Sequence, residues 1–153
     1  MNFNSFSEKL FVQKQSDPII GNEFVMNVLD NDMVYKKIIA LYRPTKIKKE
    51  IVKNIHRPSE KDTIEKFSVD GDSFTFYKSK YNVILVNMKV VSRKIKFDKD
   101  INVGIDKSVL KRKFKKAYIP DNATVQDLEG GCMFNLTFKN NKLVEIFYKA
   151  ELD

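Results

Sequence analysis

The stretch "DGDSFTFYKSKYNVILVNMKVVS", residues 70–92, alternates apolar and polar positions on either side of a polar interruption. A period of two marks a half-buried strand, so this spacing predicts a hairpin with its turn near Ser79–Tyr81. "CMFNLTFKNNKLVEIFYKAEL", residues 132–152, follows the same plan around Asn140-Asn141, a pair suited to a tight turn. "TKIKKEIVKNI" and "DTIEKFSV", joined by the loop "HRPSEK", predict two more strands, and "ATVQDL" another. Strict alternation puts Phe74, Phe76, Ile84, Val86 and Met88, with Phe134, Leu136, Val144 and Ile146, on one face. Tyr77, Val83, Leu85 and Asn87, with Leu143, Glu145 and Phe147, fall on the other.

Two segments change to the helical period. "DNDMVYKKIIALYRP" carries Val34, Ile38, Leu41 and Tyr42 on one stripe, with Asn31 or Asp32 as cap and Pro44 closing it. "IDKSVLKRKFKKAYIP" carries Leu110, Phe114, Ala117 and Tyr118, with Asp106 as cap and Pro120 beyond. A shift of 76 positions superimposes the two sets. A shift of 60 matches Gly71 with Gly131, Phe74 with Phe134, Val86 with Ile146 and Lys89 with Lys149. The prediction is one domain, 1–153, holding two copies of a helix followed by antiparallel strands, near 31–97 and 98–153. Residues 1–30 fit neither copy. Phe3, Phe6 and Leu10 suit one face of a short helix, and the apolar "IIGNEFVMNVL" is expected to lie against the core.

Amphipathic helices need an apolar surface to cover, and a sheet with one apolar face supplies it, which makes the fold class α+β. The opposite face of an antiparallel sheet can meet solvent, yet here it keeps large apolar side chains. Exposed apolar patches mark contact surfaces, and aromatic anchors carry much interface energy. Tyr77, Leu85 and Phe147 are therefore the candidate residues for binding another protein.

Composition supports a folded chain: 42% of the 153 residues are hydrophobic and 31% charged, and a chain of this length buries roughly 70% of its unfolded surface. No apolar run approaches the ~20 residues of a membrane-crossing helix, and "MNFNSFSEKLFVQKQ" has no signal-peptide pattern. The net charge is +8, carried by 24 lysines and only 4 arginines. Arginine does most bidentate reading of bases and phosphates, so specific nucleic-acid recognition is not expected. In "KSVLKRKFKKA" the basic residues lie opposite Leu110 and Phe114, on the side of a packed helix that faces water. The rival reading is a basic module that docks on anionic membrane or nucleic acid through Lys107, Lys111, Arg112 and Lys115.

Catalytic chemistry finds little support. His56, the sole histidine, falls in a loop with no second ligand for a metal. Cys132 is the sole cysteine, so no internal disulfide forms, and its only histidine partner would be His56. Asp70 and Asp72 flank Gly71 in a turn that lacks the other oxygen ligands of a calcium loop. Neither catalysis nor a cofactor is expected. A small-ligand carrier with a pocket between helices and sheet is the remaining alternative, and no residue cluster points to it.

"INVGIDKSVL", residues 101–110, and "FKNNKLVEI", residues 138–146, resemble the repeat of the β-lactamase-inhibitory-protein-like (BLIP-like) domains and the related small outer-membrane lipoproteins (SmpA/OmlA). The resemblance implies tandem helix-plus-strand repeats joined in one curved antiparallel sheet, with helices on one face and the other open. It also implies an exported protein of the periplasm or outer envelope, often lipid-anchored, that works by protein contact without catalysis. Two features depart from it: Cys132 sits mid-chain rather than at an acylated N-terminus, and "VLDND" replaces the "Val-Gly-Ile" lead-in before the first helix.

Overall fold

The structure, a computed structural model, describes residues 17–150. Eight strands form one sheet: β1 (Ile19–Ile20), β2 (Lys48–Lys53), β3 (Lys61–Val69), β4 (Asp72–Lys78), β5 (Val83–Val90), β6 (Asn122–Gln126), β7 (Cys132–Lys139) and β8 (Lys142–Ala150). Three short α-helices accompany them: α1 (Asn22–Asn27), α2 (Tyr35–Tyr42) and α3 (Lys107–Phe114). The class is α+β, as the alternating patterns predict. The strand order is β1-β6-β7-β8-β5-β4-β3-β2. Every neighbouring pair is antiparallel except β1–β6, which is parallel and makes the sheet mixed.

The expected meanders are present, with turns where the sequence puts them. Asp70 and Gly71 both take positive φ, 52° and 86°, and so do Asn140 and Asn141, 50° and 62°. These are the left-handed turns whose twist matches paired strands, and Gly and Asn enter them most cheaply. At the β2 edge Lys48, Lys49 and Lys53 hinder pairing with another chain.

One core cluster joins all three helices to a single sheet face. Phe24, Val25, Ile38, Tyr42 and Leu110 meet Phe67, Phe74, Phe76, Leu85, Met88, Phe134, Leu136, Leu143, Ile146 and Tyr148. The Phe24 ring stands edge-on to Phe114 and to Phe134, at 5.6 and 5.7 Å. Ile19, Phe24, Val25 and Val28 are buried as expected of the segment before residue 31, whereas Phe3, Phe6 and Leu10 lie outside the described residues. Ile95, Phe97, Ile101 and Val103, from the long β5–α3 connection, complete the cluster.

Strict alternation mis-assigns several side chains, and two β-bulges explain why. On β5, Thr75 pairs with Asn87 but Phe76 pairs with Leu85, leaving Val86 as an extra residue. On β8, Thr137 pairs with Glu145 but Phe138 with Leu143, leaving Val144 extra. Each extra residue reverses the facing of the strand beyond it. Leu85 and Leu143 therefore enter the core, while Ile84 moves to the far face with 41% exposure.

The helices are also shorter than their apolar stripes. Val34 is the extended residue before α2 and Asn31 and Asp32 belong to a π-helical turn, Val28–Asp32, so neither caps α2. α3 begins as predicted, with the Asp106 side chain accepting from the Ser108 N–H at 3.0 Å. It stops at Phe114 because Lys115 turns left-handed, so Ala117 is exposed and Tyr118 is 71% exposed.

Candidate functional site

The sheet face turned away from the helices holds two apolar spots. Glu50, Ile64, Tyr77 and Ile84 stand directly opposite one another across β2, β3, β4 and β5. Ser73, Lys89, Phe147 and Asn135 form a parallel row across β4, β5, β8 and β7. Tyr77 and Phe147 are half-buried. Four residues along β4 and two strand spacings separate the two spots by about 16 Å. Lys66, Thr75, Asn87 and Lys149 fill the row between them.

Of the three residues predicted for this face, two are there. Leu85 is not: the β5 bulge turns it into the core, where it is 7% exposed. Tyr77 presents its ring on the face, but its hydroxyl donates to Asp62, and that hydrogen bond, followed by burial, raises the phenol above its ordinary range. Asp62 is itself buried and also accepts from the Asn54 amide at 2.8 Å. Phe147 is flanked by the Lys89–Glu145 pair at 3.7 Å.

A second feature lies on the helix side, beneath the π-helical turn. Leu29, Met33, Val34 and Tyr35 on one wall face Val83 and Leu85 of β5, with Cys132, Tyr148 and Ala150 on the other, around about 770 Å³. The bulge at Val86 turns Val83 and Leu85 toward this side of the sheet. Burial, and then a hydrogen bond with the Cys132 thiol, push the Tyr148 hydroxyl up. The Tyr35 hydroxyl donates to Glu65, which also meets Lys78 at 3.3 Å. Burial alone would raise Glu65, but these two donors outweigh it and hold the carboxyl low. The pocket draws on four separated segments, and no sequence period reports such a meeting.

The basic helix loses one of its predicted members. Lys107 is 8% exposed; its ammonium bonds Asp121 at 2.6 Å and sits over the Phe138 ring. Lys113 pairs with Asp98 and Asp100 at 3.0 and 2.7 Å. Lys111 is partly buried, and Arg112 and Lys115 are exposed.

His56 and Cys132 do not meet. His56 is exposed in the β2–β3 loop, and Cys132 opens β7, four strand positions from β3. That separation is on the order of 19 Å, too far for proton transfer from thiol to imidazole. Asp70 and Asp72 part company too: Asp70 pairs outward with Lys94 at 3.0 Å, while Asp72 is fully buried. Among the described residues no group of three His, Cys, Asp or Glu side chains is placed to hold a metal ion.

Comparison of the chain with protein-family models, curated proteins and solved structures found no match.

Proposed function

We propose that this chain is a non-catalytic binding protein of the bacterial envelope, built from two tandem repeats, that receives another protein on the open face of its sheet. The observation that carries the reading is the cross-strand row Ile64, Tyr77 and Ile84 together with Phe147 on the same face. Solvent-facing apolar residues of this size favour a contact surface. Spots about 16 Å apart fit within the roughly 800 Å² that one partner contributes to a standard interface. The envelope location rests on the resemblance of residues 101–110 and 138–146 alone.

Two registers support a duplicated unit. α2 and α3 are both eight residues long and coincide at a shift of 72 (35 to 107 and 42 to 114), each ending in a left-handed basic residue. The pairs Phe74–Met88 and Phe134–Tyr148 coincide at a shift of 60 (74 to 134 and 88 to 148). The helix register differs from the 76 read off the apolar stripes, because Ile38 and Leu110 are the equivalent buried residues.

The test uses Phe147→Ser alone and combined with Tyr77→Ser, with thermal melts to verify folding. A partner isolated with the wild-type chain is expected to bind the double variant at least about tenfold more weakly, a loss near 1.4 kcal/mol. It should also stay bound at high salt. Unchanged affinity in both variants sinks the open-face reading. Release by salt alone would favour the basic-module rival through Lys111, Arg112 and Lys115.

A further inference from the structure

We propose that the cleft between the turn carrying Leu29 and Met33 and the ends of β5 and β8 is a binding site for an uncharged, mainly apolar small molecule. Its volume of about 770 Å³ falls within the roughly 300–1,000 Å³ of small-molecule sites. Backbone irregularity shapes it on both sides. The helical wall is a π-turn, a rare geometry that recurs at functional sites. The strand wall is Val83 and Leu85 of β5, which the bulge at Val86 turns to the helix side.

The charge distribution selects the ligand class. The Tyr35 hydroxyl already donates to Glu65, and the Tyr148 hydroxyl lies beside the Cys132 thiol, a weak partner. Little inside therefore rewards a charged ligand for the water it would lose. Asp30 and Lys36 line the cleft with opposite charges, so neither sign of ligand gains a net attraction. What remains is apolar area, supplied chiefly by Leu29, Val34 and Val83, and its burial favours an apolar occupant.

The chain offers its own reporter, because Cys132 lines the cleft and is the sole cysteine of these 153 residues. The neutral fluorophore N-phenyl-naphthylamine is titrated into the chain, and the rate at which a thiol reagent labels Cys132 is followed with and without it. Saturable binding that slows labelling is expected. Two variants alter the cleft while sparing the core. A Cβ at Gly131 meets nothing within 4 Å and its φ lies outside the left-handed range, so the backbone there admits the added bulk of Gly131→Phe. Val83 is 38% exposed, so Val83→Glu adds charge to the wall. Each should weaken the fluorophore by at least about tenfold, while Phe147→Ser on the opposite face leaves it unchanged. The last control separates failure here from failure of the protein-binding surface. The proposal is overturned by absent saturable binding, by labelling that ignores the bound fluorophore, by indifference to both cleft variants, or by tighter binding of anionic anilinonaphthalene sulfonate.

Discussion

At Asp72 a buried carboxylate accepts from the Tyr42 hydroxyl at 2.6 Å, from the backbone N–H groups of Val91 and Ser92, and from the Ser92 hydroxyl. It ties the end of α2 and the exit of β5 to the start of β4. Burial, followed by the hydrogen bond to Asp72, raises the Tyr42 phenol well above its ordinary range. The sequence "VDGDS" announced a turn, and the turn is there, but bonding by Asp72 to residues about 20 positions away is a product of the assembled sheet. Asp106 is the opposite case, a local cap legible three residues before Val109. Hydrogen bonds from Ser108, with Lys142 nearby, lower its carboxyl from 3.8 to about 2. A carboxyl depressed by folding stabilises the native state above its unfolded value and loses that contribution as pH falls through the folded one. Acid melts should therefore separate wild type from Asp106→Asn, whose amide does not titrate. Between pH 3.8 and about 2 the wild-type melting temperature is expected to fall more steeply than the variant's.

The bulges decide which face each hairpin strand presents. Leu85 and Ile84 are adjacent aliphatic residues that alternation assigns to the wrong sides, and the extra residue Val86 exchanges them. Leu85→Ala is expected to cost about 3 kcal/mol in urea unfolding, as a core truncation does. Ile84→Ala, at 41% exposure, should cost about 0.5 kcal/mol. Equal losses would place both residues in the same environment and refute the bulge. The helices carry a related lesson. Their apolar stripes run on to Leu41 and Tyr118, but a stripe is buried only while something opposes it. Phe114 reaches Phe24, and beyond it Tyr118 meets solvent.

At the level of the molecule, β8 beside β5 makes the two antiparallel meanders one sheet, and a single core cluster runs beneath both. Neither meander has a core of its own. Unfolding should accordingly be one cooperative transition, with far-ultraviolet circular dichroism and tyrosine fluorescence giving the same midpoint in urea. Two resolved midpoints would show that the halves are independent. The same assembly reshapes the charge pattern, since Lys107 and Lys113 turn inward to Asp121, Asp98 and Asp100. The basic run of α3 thus overstates the free positive charge of its surface.

Sequence alone determined what depends on near neighbours: strands β2 to β8, both left-handed turns, the Asp106 cap, the start of α3 and the α+β class. These follow from side-chain period and backbone preference, which act over a few residues. Only the tertiary structure decided the facing of Leu85 and Ile84, the burial of Lys107, the remote partners of Asp72, the separation of His56 from Cys132, and the cleft beneath Leu29. Each of those requires segments distant in the chain to arrive at one place, and a bulge of a single residue is enough to change what arrives.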